Sequence, residues 1–208
     1  MSPRPRQASD DQIFQAAFRA VSRVGPVRLT LADVAGEAGL SAAALVQRFG
    51  SKRGLLLAAV SSGSGGNDVW LADLRARHRS PFAALLALAD CMVMMGSTPE
   101  AIANTLAFLQ IDLTDPDFHR HAVSASQSTR DGIRALVKDA IATGELRRTE
   151  AGRLASAIHA TLNGSLLNWA VHREHTLVEW IRRDLKTLLE PYRTRRRRRR
   201  PPARRLSP

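Results

Sequence analysis

The sequence contains few of the residues that define several large classes of protein. Cys91 is the single cysteine among 208 residues, so no disulfide can form within the chain, and a cytoplasmic protein is the simplest expectation. The first residues contain no hydrophobic segment of the kind that directs secretion. The most apolar stretch, residues 82–95, is interrupted by Asp90 and is shorter than the roughly 20 residues that cross a membrane. We therefore expect a cytoplasmic protein without a membrane partner.

Motifs for catalysis and for metal binding are also scarce. The sequence has no nucleophile elbow, phosphate-binding loop or dinucleotide fingerprint, which argues against an enzyme. His119 and His121 are spaced so that they do not align on one helix face, and no cysteine lies near them. His172 and His175 form the other closely spaced histidine pair. We predict neither a metal nor another cofactor.

What the sequence does contain is helix-forming composition and an uneven distribution of charge. Alanine and leucine are abundant, aromatics make up 5% of the chain, and 44% of the residues are hydrophobic, which favours a folded, helical protein. Residues 1–60 carry eight basic and four acidic side chains, residues 61–192 carry 14 and 15, and residues 193–208 carry nine and none. Basic ends on a nearly neutral body are typical of a nucleic-acid-binding segment attached to a body with another task.

Residues 30–52, TLADVAGEAGLSAAALVQRFGSK, predict two short helices joined by a tight turn. Thr30 and Asp33 approximate a capping box at the first helix, and Gly39 permits the left-handed backbone that ends it. Ser41 caps the second helix, which buries Leu45. The outer face of that helix carries small or polar groups: Ala42, Ala43, Ala44, Gln47 and Arg48. Such a face suits entry into the DNA major groove.

The pattern TLxxVAxxAGLSxxxLxxxFxSK over residues 30–52 resembles the DNA-binding end of the tetracycline-repressor (TetR) family, and the resemblance covers residues 9–60. It implies an all-α fold, in which a three-helix helix-turn-helix DNA-binding domain is followed by a helical bundle for ligand binding and dimerisation. The implied partners are a double-stranded DNA operator, a second copy of the chain and an unknown small-molecule effector. The DNA-binding residues that we predict are Thr30, Ser41, Ala42, Ala43, Ala44, Val46, Gln47, Arg48 and Lys52.

The recognition segment departs from the family pattern at three positions. Most members have an aromatic residue, usually tyrosine, at the position of Val46, and often lysine or threonine at those of Ala42 and Ala44. These departures remove phosphate and base contacts, so we expect direct base readout to fall to Gln47 and Arg48. Lys52 lies in the first turn of a helix capped by Ser51, where it is predicted to bind a phosphate.

The rest of the chain is predicted to form a bundle of about six helices. We divide the sequence into a basic arm (residues 1–8), the DNA-binding domain (9–60), the body (61–192) and an arginine-rich tail (193–208) that is expected to be disordered. Glycines in residues 61–66 should interrupt the long helix that family members have there. Five helix starts are predicted from capping residues: Ser80, Thr98, Asp115, Thr149 and Thr176.

Two sets of residues in the body are candidates for function. The last two long helices are strongly apolar, and the resemblance implies that they pair with their twofold mates; the predicted interface residues are Ile158, Leu162, Leu166, Leu177, Ile181, Leu185 and Leu188. A methionine-rich helix and a few polar groups on apolar helices predict a pocket for a small apolar or amphipathic ligand. The predicted pocket residues are Cys91, Met92, Met95, Phe108, Gln127, His159, Asn163 and Trp169.

Other interpretations remain open at this stage. The apolar helices can simply complete the monomer core, and the alanines of residues 42–44 can simply pack. The whole chain can instead be a nonspecific architectural DNA-binding protein that uses its basic ends, or a helical ligand-binding or enzymatic protein that no longer uses the hairpin. The tail holds nine arginines, which predicts contacts with flanking phosphates that raise affinity for all DNA and steepen its salt dependence.

Overall fold

The structure, a computed structural model, describes residues 8–63 and 66–194. Within these ranges the chain forms ten α-helices, two 3₁₀ turns and no strand beyond an isolated bridge between Leu146 and Arg193. The helices are α1 (Asp10–Arg28), α2 (Leu31–Ala38), α3 (Ala42–Phe49), α4 (Lys52–Gly63), α5 (Gly66–Arg77), α6 (Pro81–Cys91), α7 (Pro99–Thr114), α8 (Pro116–Ala142), α9 (Ala151–His172) and α10 (Leu177–Leu189). The predicted all-α fold is confirmed.

Helices α1 to α4 form the N-terminal domain around their own hydrophobic core. The side chains of Ile13, Leu45 and Leu55 have no exposed surface, and they hold α1, α3 and α4 together. Helix α1 begins with a reciprocal capping box between Ser9 and Gln12. Near its end the backbone leaves helical geometry at Gly25, where φ is 77°, and it then resumes through Arg28. The regular helix therefore ends at Gly25, and residues 26–28 form a separate last turn.

Helices α5 to α10 form the body around a second core. Helix α8 connects the two cores, because Phe118 in its first turn is buried in the N-terminal core and Ala140 near its end is buried in the body. Helix α7 packs along α1, and Phe108 contributes to the N-terminal core from that side. The 27 residues of α8 span about 40 Å at 1.5 Å per residue. The far end of α8 thus lies well away from the N-terminal domain.

The boundaries of the helices correct one expectation from the sequence and leave another untested. Helix α4 continues to Gly63, beyond the expected domain boundary at residue 60, and α5 begins at Gly66. The predicted interruption of the helix therefore falls on residues 64 and 65, which lie outside the described residues. Thr149 is not the cap of α9. Glu150 takes that place, since its carboxylate oxygens accept hydrogen bonds from the amides of Gly152 (2.8 Å) and Arg153 (2.6 Å).

The other predicted caps are present. Ser80, Thr98 and Asp115 each accept a backbone hydrogen bond at a helix that begins with proline, and Thr176 forms a capping box with Glu179. No helix in the described ranges is long and apolar enough to cross a membrane.

Candidate DNA-binding interface

Helices α2 and α3 form a tight hairpin whose geometry follows from three capping positions. Thr30 begins α2 by accepting a hydrogen bond from the Asp33 amide, and the Asp33 carboxylate accepts hydrogen bonds from both the amide and the hydroxyl of Thr30. This hydrogen bonding lowers the pKa of Asp33. Gly39 adopts the left-handed conformation, with φ 67° and ψ 33°, and Ser41 Oγ then accepts from the Ala44 amide at 3.2 Å. The caps fix the angle at which α3 leaves the domain.

The outward face of α3 is almost free of charge. Leu45 is fully buried, whereas Ala43, Val46 and Gln47 are exposed, and Val46 has 48% of its surface accessible. Ala42 and Ala44 are half-buried on the two flanks of this face. We call the exposed residues Ala43, Val46 and Gln47 the reading face. A short helix with this small-residue surface fits the width of the DNA major groove.

Arg48 lies away from the reading face. Successive residues in an α-helix are rotated by about 100°, which places Arg48 about 140° from Ala43 around the helix axis. Its guanidinium is 2.7 Å from the Asp10 carboxylate and donates a hydrogen bond to the Ala8 carbonyl at 3.0 Å. In this structure Arg48 joins the end of α3 to the start of α1 through an exposed ion pair, so the base readout that the sequence predicts would require Arg48 to leave Asp10.

Lys52 also has partners within the protein. Its ammonium donates hydrogen bonds to the carbonyls of Pro26 (3.2 Å) and Val27 (3.3 Å), at the kinked end of α1. A lysine ammonium has three N–H groups, so one remains for a phosphate oxygen. Lys52 can therefore hold the corner between α1 and α4 and bind the DNA backbone at the same time. Its predicted role is compatible with this geometry.

An ion-pair cluster joins the N-terminal domain to the body, and the sequence reasoning missed it. Arg53 donates hydrogen bonds to Asp115 at 2.9 and 2.8 Å and to Asp117 at 2.7 Å, and it stacks over Phe118 with 5.7 Å to the ring centre. The pairing with Arg53 lowers the pKa of both carboxyl groups. One signal was available, because Arg53 follows the cap of α4, where a positive charge opposes the helix dipole unless it has a partner.

A second contact supports the same junction from α7. The side-chain amide of Asn104 donates hydrogen bonds to the carbonyls of Ser22 (3.0 Å) and Arg23 (3.1 Å), close to the kink of α1. Together with Arg53 and Phe118, it couples the position of the N-terminal domain to that of α7 and α8. Long-range partners of this kind cannot be read from local sequence spacing.

The structure does not bring the predicted pocket residues together. Phe108 packs edge-to-face on Phe118 in the N-terminal core, whereas Cys91 and Met92 pack against the body core. Trp169 is buried and donates to the His175 carbonyl at 3.2 Å. Asn163 and Gln127 are exposed, and the side chain of Met95 lies outside the described residues. These residues therefore do not define a single cavity.

An open groove of about 440 Å³ lies where α8 meets the start of α9. Gln127 lines this groove, and His159 lies close to Arg130, another of its lining residues. Burial, together with the charge of Arg130, lowers the pKa of His159. The remaining polar residues of the groove are Arg130, Asp131, Arg134, Glu150, Arg153 and Ser156. Most of these groups already bind one another, as Arg130 does with Gln127 at 2.6 Å and Arg134 with Asp131 at 3.0 Å.

The predicted dimer residues are mostly core residues of one chain. Ile158, Leu162, Leu166, Leu177, Ile181 and Leu185 have between 0 and 4% of their surface exposed, and only Leu188 is partly accessible. Six of the seven therefore cannot contact a second chain in this conformation. The exposed face of α9 is instead formed by small and apolar residues at helical spacing: Ser156, Ala160, Asn163, Leu167 and Val171.

The described residues contain no group of three or more histidine, cysteine or acidic side chains arranged to hold a metal ion. His121 instead forms a hydrogen bond with the Ser61 hydroxyl at 3.0 Å. His172 stacks on Trp180 with 5.6 Å between ring centres.

A capped helical hairpin with an exposed reading face, set on a helical body, defines a helix-turn-helix transcriptional regulator. Two family models match the chain: one described as bacterial regulatory proteins of the tetR family over residues 13–59, and one described as the tetracyclin repressor-like C-terminal domain over residues 103–185. The chain belongs to the TetR family of bacterial transcriptional regulators.

Individual relatives agree with this assignment. The HTH-type transcriptional regulator BetI of Agrobacterium fabrum is 32% identical over 143 residues, which is 65% of this chain, and the match spans 64% of that protein's length. A transcriptional regulator from Saccharomonospora viridis, solved in complex with choline, has the same fold with a TM-score of 0.74 at 19% identity, over 89% of this chain and 98% of that one. A TetR-family regulator from Cytophaga hutchinsonii aligns with a TM-score of 0.71 at 16% identity, over 94% of this chain and 100% of that one.

Proposed function

We propose that this protein is a cytoplasmic transcriptional repressor, which binds a near-palindromic DNA operator as a homodimer and releases it when a small molecule binds the body. The observation that carries the proposal is the reading face of α3, which is exposed and nearly uncharged on an otherwise tightly capped hairpin. A surface of this shape has no role in the monomer core, and it fits the major groove. The remaining N–H of Lys52 and the amides at the start of α4 supply backbone contacts.

The homodimer in this proposal uses the exposed face of α9. Leu167 and Val171 have 48% and 77% of their surface exposed, although both are large and apolar. Ala160 and Gly164 lie on the same face, and a Cβ placed on Gly164 would meet no atom within 4 Å. Small residues let a second helix approach closely, and the apolar pair supplies area to bury. A twofold dimer would place two reading faces on successive half-sites.

Regulation in this proposal passes through the junction between the two cores. Phe118 is buried in the N-terminal core although it belongs to α8, and Arg53 of the N-terminal domain binds Asp115 and Asp117 at the start of the same helix. A ligand that favours another position of α8 would therefore also shift the reading faces. By thermodynamic linkage, the ligand lowers the affinity for DNA only by the factor by which it binds the second arrangement more tightly than the DNA-binding one. The choline complex of the Saccharomonospora viridis regulator supports a small molecule as the ligand.

The first experiment is selection of bound sequences from random DNA, followed by footprinting of the selected site. A dimeric repressor should protect two related half-sites whose centres are about one helical turn, or a multiple of it, apart. Protection without sequence preference would favour an architectural DNA-binding protein. Failure to bind any DNA would favour a helical ligand-binding protein instead.

The second experiment screens small molecules for release of the selected operator. Choline and small apolar or amphipathic compounds are the first probes, and gel-shift or fluorescence polarisation gives the fraction of DNA bound. A compound that binds the protein and lowers operator affinity supports the repressor mechanism. A compound that binds and raises affinity would contradict release as the direction of control.

A further inference from the structure

We propose that the reading face recognises thymine through its methyl group, with Ala43 and Val46 packed against the C5-methyl groups of thymines in each half-site and Gln47 on a neighbouring adenine. This inference rests on the proposed DNA-binding function and names the bases that the site takes. It follows from the chemistry of an exposed face that carries two apolar side chains and one amide.

The three residues lie on one side of α3. At about 100° per residue, Val46 and Gln47 lie about 60° and 40° to either side of Ala43. Gly50, the C-cap of the helix, follows on the same side and leaves room for the DNA backbone to approach. Leu45 on the opposite side is fully buried, so the helix cannot present another face without unfolding its domain.

The polar and charged groups around this face already have partners within the protein. Arg48 binds Asp10 and the Ala8 carbonyl, and it lies about 140° from Ala43. Ser41 and Thr30 use their hydroxyl oxygens as helix caps. Gln47 is thus the one long polar side chain on the reading face of this described helix.

The apolar part of the face decides which bases can lie opposite it. In the major groove, guanine, cytosine and adenine present hydrogen-bonding groups, and only thymine presents a methyl group. Placing Val46 against a donor or acceptor would strip that group of water without replacing the hydrogen bond, which is unfavourable. Placing it against a thymine methyl buries apolar surface on both sides, which is favourable. Gln47 can pair with N6 and N7 of adenine, so the centre of each half-site should be rich in A·T pairs.

The test replaces thymine by uracil, one position at a time, in the operator obtained by selection. Uracil keeps every hydrogen-bonding group of thymine and lacks only the methyl group, so a change in affinity reports that group. We expect a loss of about fourfold, corresponding to about 0.8 kcal/mol for one buried methyl, at one or two positions in each half-site. At the same positions, 5-methylcytosine should bind better than cytosine.

Two matched variants assign the effect to the reading face. Val46→Ala removes two methyl groups from an exposed side chain, so the domain should fold normally, and the thymine-to-uracil ratio at one position should fall to about 1. Val27→Ala is the control, since Val27 is 82% exposed and lies outside α3, and it should leave every ratio unchanged. Circular dichroism verifies the fold of both variants.

The outcomes separate this inference from the function on which it rests. Specific binding of the unmodified operator with no uracil effect at any position would overturn the inference and leave the proposed repressor intact. Uracil effects that persist unchanged in Val46→Ala would likewise overturn it. If the wild-type protein shows no preference among unmodified sequences, the proposed function fails first, and the inference fails with it.

Discussion

The Arg53 guanidinium lies 2.8 Å from the carboxylate of Asp115, a residue 62 positions further along the chain. This contact joins the first turn of α4, beside the recognition hairpin, to the cap of α8 in the body. Because Asp117 and the ring of Phe118 bind the same guanidinium, the junction is held by three side chains of one helical turn. The body is thereby connected to the DNA-binding end at the point where α8 enters the N-terminal core.

Loss of this cluster should loosen the first turn of α8. In Arg53→Gln we expect the amides of residues 117–120 to exchange hydrogen about twofold to fivefold faster, which is the range for one exposed ion pair. Arg77→Gln is the matched control, because the ion pair of Arg77 with Asp73 lies within α5. Hydrogen exchange followed by mass spectrometry measures both. Equal protection of residues 117–120 in the two variants would show that the cluster does not hold the junction.

The contribution of Asp112 to the stability of the protein should fall as the pH rises from about 4 to about 6. Burial raises the pKa of this half-buried carboxyl to about 6, although the positive charge of His119 opposes the shift. A raised folded-state pKa means that the folded protein binds the proton more tightly, so the ionisation of Asp112 costs stability that accumulates between the unfolded-state pKa of 3.8 and the folded-state pKa of about 6 and stays constant above that range. Asp112→Asn should remove this cost and stabilise the protein at pH 7 by about 1 kcal/mol, after allowance for solvent screening. Urea unfolding at pH 4.5 and pH 7 measures it, and an equal effect of the substitution at both pH values would contradict the prediction.

Adjacent leucines on α9 should respond differently to the same substitution. Leu167→Glu places a charge on the exposed face and should raise the dissociation constant of the dimer by about 30-fold or more while the fold persists. Leu166→Glu buries an unpaired charge in the core and should destabilise the chain by about 3–5 kcal/mol. Sedimentation separates monomer from dimer, and circular dichroism reports folding. A wild-type protein that remains monomeric at micromolar concentration would rule out the α9 interface.

Gln47 and Arg48 should have separable roles in DNA binding. Gln47→Ala should reduce discrimination at one base pair by about 1–3 kcal/mol. Arg48→Ala removes an ion pair with Asp10 and should lower affinity for operator and scrambled DNA by a similar factor. Fluorescence polarisation with both duplexes gives the ratio of the affinity for the operator to the affinity for scrambled DNA. A changed ratio in Arg48→Ala would mean that Arg48 leaves Asp10 and reads a base in the complex.

The arginine-rich tail starts far from the reading face of the same chain. Residues 195–208 lie outside the described residues, but the chain that leads into them is fixed, because Arg147 donates to the Tyr192 carbonyl and Thr194 to the Glu145 carbonyl. This anchor follows the end of α8, about 40 Å from the N-terminal core, and 14 residues span at most about 48 Å when fully extended, so the tail would pass the core only at nearly full extension. Deletion of residues 195–208 should therefore leave the salt dependence of binding to a short operator unchanged. If the deletion instead flattens the plot of log affinity against log salt, the result would support the phosphate contacts that the sequence predicts.

Local sequence chemistry determined where most helices begin. Ser9 with Gln12 and Thr176 with Glu179 form capping boxes, since the two partners of each box lie three residues apart and need no tertiary contact. The helix starts in which proline follows the capping residue, and the turn at Gly39, also depend only on neighbouring residues. Glu150 replaced Thr149 because either side chain can cap a helix, and only the final path of the chain places one of them over the free amides.

The sequence also determined the family, because its motif lies within one continuous segment, residues 30–52. It could not tell which apolar side of α9 faces the chain's own core and which remains exposed. Leu166 and Leu167 have the same chemistry and differ by one position, and only the packing of α9 against α7, α8 and α10 decided that Leu166 is buried. Periodicity finds an apolar face but does not name its partner.

The partners of charged groups were likewise decided by tertiary structure. Arg48 forms an ion pair with Asp10, 38 residues away in the sequence, and Arg53 forms one with Asp115, 62 residues away. Without these carboxylates nearby, either guanidinium could bind DNA. The residues of the reading face are set by the sequence, since α3 must bury Leu45 and so expose Val46 and Gln47. Which cations remain free beside that face depends on which carboxylates the fold brings within hydrogen-bonding distance, and local spacing contains no information about that.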